Sequence, residues 1–227
     1  MMSVAFDLEQ PTVEVSDGSR FPVRRIFCVG KNYADHAREM GGDPEREPPF
    51  FFAKPADAVV MSGVEIPYPP RTANLHHEVE LVLAIGKNGA NISAEAALEY
   101  IVGYAVGNDL TRRDLQADAK AAGRPWDMAK GFDRSAVVSP LRLVREIGHP
   151  EQAGIWLSVN GVSRQDGDIA DMIWPIREIV AELSTYVALK AGDLIFTGTP
   201  SGVGKIEQGD LVEAGVEGVG VITNRFA

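Results

Sequence analysis

The sequence predicts an α+β protein rich in β-structure, with a mixed β-sheet folded on itself and a few helices at its periphery. Short apolar segments typical of strands outnumber the segments with helical periodicity, and the two kinds do not alternate regularly. Regular alternation would favour a doubly wound or barrel α/β fold, so the irregular order argues against both. The dipeptide Asn160-Gly161, which follows an apolar segment, is a good hairpin signal and adds to the prediction.

Each element has a local reason. Apolar segments bounded by glycine or polar residues predict strands over 21–30, 50–55, 77–86, 100–109, 156–160, 193–197 and 219–224. Helical spacing predicts helices within 31–42, 93–99, 114–122 and 176–187. Gly41 and Gly42 end the first helix. Ser93 followed by Ala96 gives the second only half of a capping box, and the last helix is the most clearly amphipathic.

Length, composition and net charge limit the classes of protein to which this chain can belong. The chain has 227 residues, 45% hydrophobic and 24% charged, as in an ordinary globular protein. Residues 1–20 are expected to form an arm or edge strand, and residues 21–227 a single domain. The formal net charge of −10 argues against binding nucleic acid or an anionic membrane through a general basic surface. A local cluster of cations still permits a small anionic substrate.

Cysteine content and the chain's ends suggest an ordinary intracellular protein. Cys28 is the single cysteine, so no intrachain disulfide forms, and its apolar surroundings predict a buried thiol. The first residues lack the basic and apolar regions of a signal peptide. No apolar segment is long enough to cross a bilayer, so we expect a cytoplasmic location and no membrane partner.

Three acidic residues occur next to apolar segments, where bare carboxylates are costly. Glu78 and Glu80 would point to the same face of one strand, and Asp109 ends another. An exposed edge strand would also explain alternating acids, but the residues after Glu80 are apolar on both faces. A divalent cation would resolve the cost, and all-oxygen ligation favours Mg²⁺ or Mn²⁺, with Ca²⁺ as a further candidate. Of His76 and His77, we expect one to pack and one to be partly exposed.

Several short motifs, in order along the chain, carry a family resemblance. They are Cys28-Val29-Gly30-Lys31-Asn32-Tyr33-Ala34-Asp35-His36, Phe52-Ala53-Lys54-Pro55, His77-Glu78-Val79-Glu80-Leu81, Gly107-Asn108-Asp109-Leu110-Thr111, Pro125-Trp126-Asp127-Met128-Ala129-Lys130 and Thr197-Gly198-Thr199-Pro200-Ser201-Gly202-Val203-Gly204. Together they resemble the fumarylacetoacetate hydrolase family, in its single-domain acylpyruvate hydrolase branch. The residues over 40–52 most resemble the fumarylpyruvate hydrolases of gentisate-type aromatic degradation.

The resemblance implies a fold, a metal and a reaction. It implies a β-rich roll, a homodimer, and Mg²⁺ or Mn²⁺ held by Glu78, Glu80 and Asp109. The substrate would be a 2,4-diketo acid (an acylpyruvate), most closely fumarylpyruvate, which is cleaved at a carbon–carbon bond to fumarate and pyruvate. The family commonly has arginine at the position of Lys31, a departure that keeps the positive charge.

Catalytic roles follow from spacing and from the resemblance together. His36 and Glu39 are three residues apart on a predicted helix, so they share a face, and Glu39 could orient an imidazole that takes a proton from water. A solvated surface helix would show the same spacing, and the residues alone leave both interpretations open. The resemblance favours the catalytic pair and places Lys130 against the oxyanion or carboxylate of the substrate. The segment 31–42 would act as a lid.

Substrate contacts are implied by the resemblance alone. It suggests Gln116 as a substrate contact and Arg113 as a residue that pairs with a carboxylate. Lys54 would either bind the substrate carboxylate or anchor its strand. The turn containing Gly198 and Thr199 resembles a carboxylate cradle, since glycine allows close backbone approach.

Competing functions remain open at the level of the sequence. The same metal and enolate chemistry would suit an oxaloacetate decarboxylase or keto–enol tautomerase, in which water does not attack. It would also suit an isomerase or decarboxylase of a hydroxy-diene-dioate. A non-catalytic anion or metal binder on an inherited fold is the alternative from another class. The pair of His36 and Glu39 favours hydrolysis.

Overall fold

The computed structural model describes residues 5–39 and 47–227. Its strands are β1 (Thr12–Glu14), β2 (Arg20–Pro22), β3 (Arg25–Gly30), β4 (Phe50–Lys54), β5 (Val59–Met61), β6 (Leu75–His77), β7 (Val79–Ile85), β8 (Ile101–Asp109), β9 (Thr111–Arg112), β10 (Ala136–Val138), β11 (Arg142–Leu143), β12 (Gly154–Val159), β13 (Val162–Asp168), β14 (Asp193–Phe196), β15 (Gly204–Ile206), β16 (Leu211–Val216) and β17 (Gly220–Arg225). Its helices are α1 (Ala34–Glu39), α2 (Arg113–Ala121), α3 (Asp127–Lys130), α4 (Val144–Ile147) and α5 (Ile176–Tyr186), and short 3₁₀ turns cover Ala56–Ala58, Ala97–Tyr100 and Ile169–Asp171.

A central eight-stranded sheet organises the molecule. Its strands follow the order β4-β3-β14-β7-β8-β10-β5, and β11 also pairs with β8. The pairs β3–β14 and β5–β10 are parallel and the other pairs antiparallel, which confirms the mixed sheet. All seven residues of β7 are buried, because both faces of this strand are covered. A strand buried on both faces carries apolar residues without alternation, as the sequence of β7 does.

A second sheet and the longest helix cover one face. Strands β13-β12-β16-β17 form an antiparallel sheet, and its residues Ile155 and Leu157 share one apolar cluster with Leu81 and Leu83 of β7. The amphipathic helix α5 adds its buried side to the same cluster. Within the described residues, no helix is both long and apolar enough to cross a membrane.

The N-terminal hairpin covers the other face. Strands β1 and β2 pair with each other, and Val13 is fully buried in a second apolar cluster with Ile26, Cys28 and Val82. The hairpin includes residues on both sides of the predicted boundary between the N-terminal arm (1–20) and the domain (21–227). Cys28 is buried as predicted, and burial raises the pKa of its thiol well above the ordinary value, so the thiol stays protonated.

Most predicted elements are confirmed, and one helix is wrong. The segment 93–99 was expected to be α-helical, but it forms turns that lead into a 3₁₀ turn over Ala97–Tyr100. No side chain caps this turn, and Ile101 already pairs with Ile85 in the central sheet, which leaves no room for an α-helix to continue. The predicted end of the first helix at Gly41 lies outside the described residues.

We expect Gly107→Ala to destabilise the protein. A Cβ on Gly107 would lie 2.5 Å from the Cε1 of Phe196 and 2.6 Å from the Cγ2 of Val82, and both side chains are fully buried. Overpacking of this kind costs about 1–3 kcal/mol of unfolding free energy. Chemical denaturation measures it, with Gly154→Ala as control, since a Cβ there meets nothing closer than 3.7 Å. Equal stability of the two variants would contradict the close packing at Gly107.

Candidate active site

Three carboxylates meet where β7 and β8 lie side by side. Glu80 is on β7 opposite Gly107, and Asp109 is the last residue of β8. Glu78 lies in the break between β6 and β7, where its backbone N–H donates to the side-chain oxygen of Asn108 at 2.9 Å. Oxygens of the three carboxylates lie within 4.8 Å of one another, and all three residues are buried. The arrangement therefore offers a compact set of hard oxygen ligands.

The structure brings Glu78 and Glu80 together in a different way from the prediction. They were expected on one face of one strand, but the chain passes from one sheet to another at Glu78. Strand β6 belongs to a three-stranded sheet with β15 and β9, and β7 belongs to the central sheet. The Glu78 carbonyl accepts the N–H of Asp109 at 2.9 Å, which joins the ends of the two strands. Burial of all three acids excludes the exposed edge strand.

Three cations neutralise two of the carboxylates. The Lys130 amine lies 2.7 Å from a Glu78 oxygen and 2.8 Å from an Asp109 oxygen. Lys54 contacts the other Asp109 oxygen at 2.7 Å, and Arg113 pairs with the other Glu78 oxygen. Buried charges are stable only when paired in this way.

Glu80 is the carboxylate without a cation. Among residues 5–39 and 47–227 it makes no ion pair, and the backbone N–H of Gly198 donates to it at 2.7 Å. Burial, and then the neighbouring carboxylates of Asp109 and Glu78, raise the pKa of Glu80 well above the ordinary value. A divalent cation shared by the three carboxylates would supply the missing positive charge, so these residues fit a hard metal ion.

The paired residues show the opposite electrostatic trend. Although burial by itself raises the pKa of Glu78, the cations of Lys130 and Arg113 outweigh it and lower the pKa below the usual range. Burial likewise opposes the charged form of Lys130, but the carboxylates of Asp109 and Glu78 raise its pKa above the ordinary value. Both groups are therefore ionised at neutral pH.

Helix α1 places an imidazole at the same site. The His36 Nδ1 lies 3.2 Å from a Glu39 carboxylate oxygen, and His36 is buried. The backbone N–H of Gly202, in the glycine-rich loop after β14, donates to both Glu39 oxygens at 3.2 Å. The pair is thus docked against that loop, and the interpretation of a solvated surface helix is wrong for His36.

A cavity of about 470 Å³ joins these groups. Its lining combines charged and polar residues with several aromatic residues. The lining residues are Val29, Gly30, Lys31, His36, Glu47, Pro48, Pro49, Phe50, Phe52, Glu78, Glu80, Asp109, Arg113, Gln116, Ala117, Lys120, Trp126, Lys130, Ile173, Trp174 and Thr199. A volume of this size suits a small organic ligand.

The aromatic lining of the cavity is built from separate parts of the chain. Phe50 and Phe52 come from β4, and the Trp126 ring packs edge-on against both at centroid distances of 5.0 and 5.9 Å. The side chain of Asn32 holds the backbone of Trp174. Its oxygen accepts the Trp174 backbone N–H at 2.8 Å, and its NH₂ donates to the Trp174 backbone carbonyl at 3.1 Å. Asn32 lies in the first matching motif, but the sequence alone suggested no role for it.

The predicted site residues divide into two groups. Those that line the cavity are His36, Glu78, Glu80, Asp109, Arg113, Gln116, Lys130 and Thr199. Glu39, Lys54 and Gly198 lie behind them and contact His36, Asp109 and Glu80 respectively. For Lys54 the arrangement agrees with the anchoring role, because its amine also donates to the backbone carbonyls of Leu110 and Lys130.

Gln165 is a buried residue that the sequence did not single out. Its side-chain NH₂ donates to the Thr199 hydroxyl at 2.7 Å and to the Pro200 carbonyl at 2.8 Å. Its side-chain oxygen accepts the Val79 N–H at 3.2 Å and lies 2.9 Å from the His77 Nδ1. No motif marks Gln165, which follows exposed residues on a polar strand. The contacts of Gln165 become apparent only in the folded structure, where β13 brings this residue to Thr199.

The two adjacent histidines differ as expected. His77 is fully buried and its Nδ1 is the donor to Gln165, because the Gln165 oxygen can only accept. His76 is half-buried, and burial, followed by the nearby Arg113 cation, lowers its pKa to about 4. Neither histidine lines the cavity.

Two proteins of known activity are similar to this chain in sequence. A fumarylpyruvate hydrolase from Ralstonia sp is 47% identical over 181 residues, which cover 80% of this chain and 94% of that protein. The mitochondrial oxaloacetate tautomerase of Mus musculus is 44% identical over 203 residues, which cover 89% and 90%.

A solved structure matches along almost the whole chain. The crystal structure of fumarylpyruvate hydrolase from Pseudomonas aeruginosa, in complex with Mn²⁺ and pyruvate, superposes with a TM-score of 0.97 at 50% identity and covers 99% of both chains. The family described as "Fumarylacetoacetate (FAA) hydrolase C-terminal" matches residues 25–227. With its strand-rich curled sheet and its acidic cluster, this chain belongs to the fumarylacetoacetate hydrolase family.

Proposed function

We propose that this protein is a metal-dependent hydrolase that cleaves fumarylpyruvate, or a close acylpyruvate, to pyruvate and a carboxylic acid. The observation that carries the proposal is the meeting, in one cavity, of three buried carboxylates and an imidazole oriented by a carboxylate. The relatives named fumarylpyruvate hydrolase support the choice of substrate. A homodimer and a cytoplasmic location belong to the same proposal.

The metal would be held by Glu78, Glu80 and Asp109. Carboxylate oxygens favour Mg²⁺ or Mn²⁺, with Ca²⁺ as a weaker candidate, and the relative from Pseudomonas aeruginosa contains Mn²⁺. When bound, such an ion supplies a Lewis acid that polarises a keto group and stabilises an enolate. The Gly198 N–H holds Glu80 by a hydrogen bond, and the Lys54 amine holds Asp109 by an ion pair.

His36 is the proposed base that takes a proton from water. The Glu39 carboxylate accepts a hydrogen bond from Nδ1–H, so Nε2 is left as the basic nitrogen of the ring. Gly202 holds the Glu39 carboxylate, which restricts the orientation of the imidazole. Water activated in this way adds its oxygen to the distal carbonyl carbon, and the bond from that carbon to the pyruvate enolate breaks. The enolate carbon takes up the proton that water gave, so the products are the carboxylic acid and pyruvate.

Three cavity residues are proposed to bind the pyruvate end of the substrate. Gln165 donates to the Thr199 oxygen, so the Thr199 hydroxyl proton is free to donate to a substrate carboxylate. Lys130 and Gln116 also line the cavity and add an ammonium and an amide. Arg113 pairs with Glu78 and holds the Gln116 oxygen at 2.6 Å, so it orients both.

A second candidate is tautomerisation or decarboxylation of oxaloacetate, which the 44% identical relative from Mus musculus favours. Isomerisation or decarboxylation of a hydroxy-diene-dioate is the third member of this group. These reactions use the same carboxylate site and the same enolate, but water does not attack. The buried pair of His36 and Glu39 favours hydrolysis.

The function is tested by proton NMR of the purified protein with Mn²⁺ or Mg²⁺ and fumarylpyruvate, with oxaloacetate as a parallel sample. We expect fumarate and pyruvate to appear rapidly, because a base and a carboxylate site share the cavity. Loss of carbon dioxide or faster enol exchange from oxaloacetate, without hydrolysis of fumarylpyruvate, would instead support the second candidate.

Glu80→Gln is expected to abolish metal binding while the fold survives. Glu80 has no cation to leave unpaired among the described residues, and glutamine can still accept the Gly198 N–H. Thermal unfolding should show a stabilisation by Mn²⁺ in the wild type that is lost in the variant. The metal-free variant should be at least as stable as the metal-free wild type, since a buried carboxylate is removed.

Asp118→Asn is the control for this measurement, because Asp118 is exposed on α2 and does not line the cavity. It should keep the full response to Mn²⁺. An unchanged Mn²⁺ response in Glu80→Gln would show that Glu80 is not a ligand.

His36→Ala is expected to lower kcat for hydrolysis by roughly 10²–10⁴-fold, the usual contribution of a general base. The Mn²⁺-dependent rise in unfolding temperature should remain, since His36 is not among the three clustered carboxylates. Glu39→Gln should cause a smaller loss, because the ring stays in place with a weaker partner. Turnover of His36→Ala at the wild-type rate would refute the assignment of the base.

A further inference from the structure

The charges that line the cavity form an inner and an outer set. The inner set is buried, and two of its three carboxylates, Glu78 and Asp109, are paired with cations. The outer set contains the exposed lysines Lys31 and Lys120. Neither lysine makes an ion pair or a side-chain hydrogen bond with any other residue in the ranges 5–39 and 47–227. Within the part of the chain that the structure describes, these two ammonium groups therefore have no partner that explains their position.

Helix α2 connects the inner and outer sets. Arg113, Gln116, Ala117 and Lys120 all line the cavity, and their spacing of three, four and seven residues places them on one face of the helix. Arg113 is at the inner end, where it pairs with Glu78. A rise of about 1.5 Å per residue puts the Cα of Lys120 about 10 Å further along the helix axis. The helix thus presents cations at both ends of one face.

The length of the proposed substrate matches this separation. Fumarylpyruvate has a carboxylate at each end of a seven-carbon chain, and an extended chain of that length spans roughly 7–8 Å with carbon–carbon bonds of about 1.5 Å. With one carboxylate at the inner set, the other would lie within reach of a lysine side chain at the outer set. Phe50 and Trp126, in the aromatic lining of the cavity, would contact the unsaturated middle.

We propose that Lys120, together with Lys31, binds the second carboxylate of the substrate and makes the enzyme selective for acylpyruvates that carry one. The inference rests on the proposed hydrolase function and identifies residues that determine its specificity. Glu47 also lines the cavity and is exposed, so the outer set, as far as the described residues go, contains two positive charges against one negative charge. The excess is positive although the whole chain carries a formal charge of −10.

The backbone at Lys31 is a separate observation that points the same way. Its φ is +58°, in the left-handed region that glycine or asparagine adopts more easily. A lysine at such a position is unusual, and strained residues of this kind cluster at ligand-binding sites. Its side chain lines the cavity, which provides a reason for a charged residue there.

The test compares kcat/KM for two substrates, fumarylpyruvate and acetylpyruvate, which lacks the second carboxylate. Lys120→Met should lower the ratio of the two values roughly three- to tenfold, because an exposed charge pair is lost for one substrate only. Lys31→Met should act in the same direction, and the double variant should lower the ratio roughly tenfold or more. The effect should appear mainly in KM, since neither lysine contacts the reacting atoms in this proposal.

Lys87→Met is the matched control, because Lys87 is an exposed lysine that pairs with Glu99 away from the cavity. It should leave the ratio unchanged. Higher ionic strength should reduce the preference of the wild type for fumarylpyruvate and should have less effect on the double variant. An equal loss for both substrates, or no loss, would overturn the proposal.

Binding measurements separate this proposal from the hydrolase function. If the wild type binds both compounds in the presence of Mn²⁺ but cleaves neither, the hydrolase function fails, and calorimetric dissociation constants for the same two compounds replace kcat/KM. Selective weakening of fumarylpyruvate binding in Lys120→Met would still support recognition of the second carboxylate. Equal binding of both compounds by wild type and variant would refute it.

Discussion

Three carboxylates are buried together between the central strands β7 and β8, and the surrounding residues meet the electrostatic cost of that burial. Lys130, Arg113 and Lys54 come from three different elements, yet all converge on Glu78 and Asp109. Removing one partner of such a set would leave a buried charge without compensation, which is far more costly than losing an exposed pair. The acidic cluster therefore constrains β4, α2 and α3 as well as its own strands.

One side of the site is built on buried strands, and another side is built on a short helix held against a loop. Glu80 and Asp109 lie on the buried strands β7 and β8, so their positions depend on the close packing at Gly107. The imidazole of His36 comes instead from a short helix that is held by the contact between Glu39 and Gly202. In the proposed mechanism, metal ligands on buried strands and a base on a separate helix would let substrate enter without disturbing the carboxylates.

The local sequence pattern was sufficient to predict most strands and helices. The prediction failed where tertiary contacts override the local preference. Strands β7 and β8 were predictable because long apolar segments require burial on both faces. The segment 93–99 has helix-forming residues, but the pairing of Ile101 with Ile85 ends it as a 3₁₀ turn. The break at Glu78 was not predictable, because β6 and β7 belong to different sheets.

Residue types and their spacing along the chain were enough to predict the mixed β-rich fold, the acidic residues and the motifs that identify the family. Only the tertiary structure showed that Glu80 lacks a cation among the described residues, and that Gln165 orients Thr199. It also showed that Lys120 lines the same cavity as Glu78. The reason is physical: charge compensation and hydrogen-bond partners depend on distances between residues far apart in sequence, which local pattern does not contain.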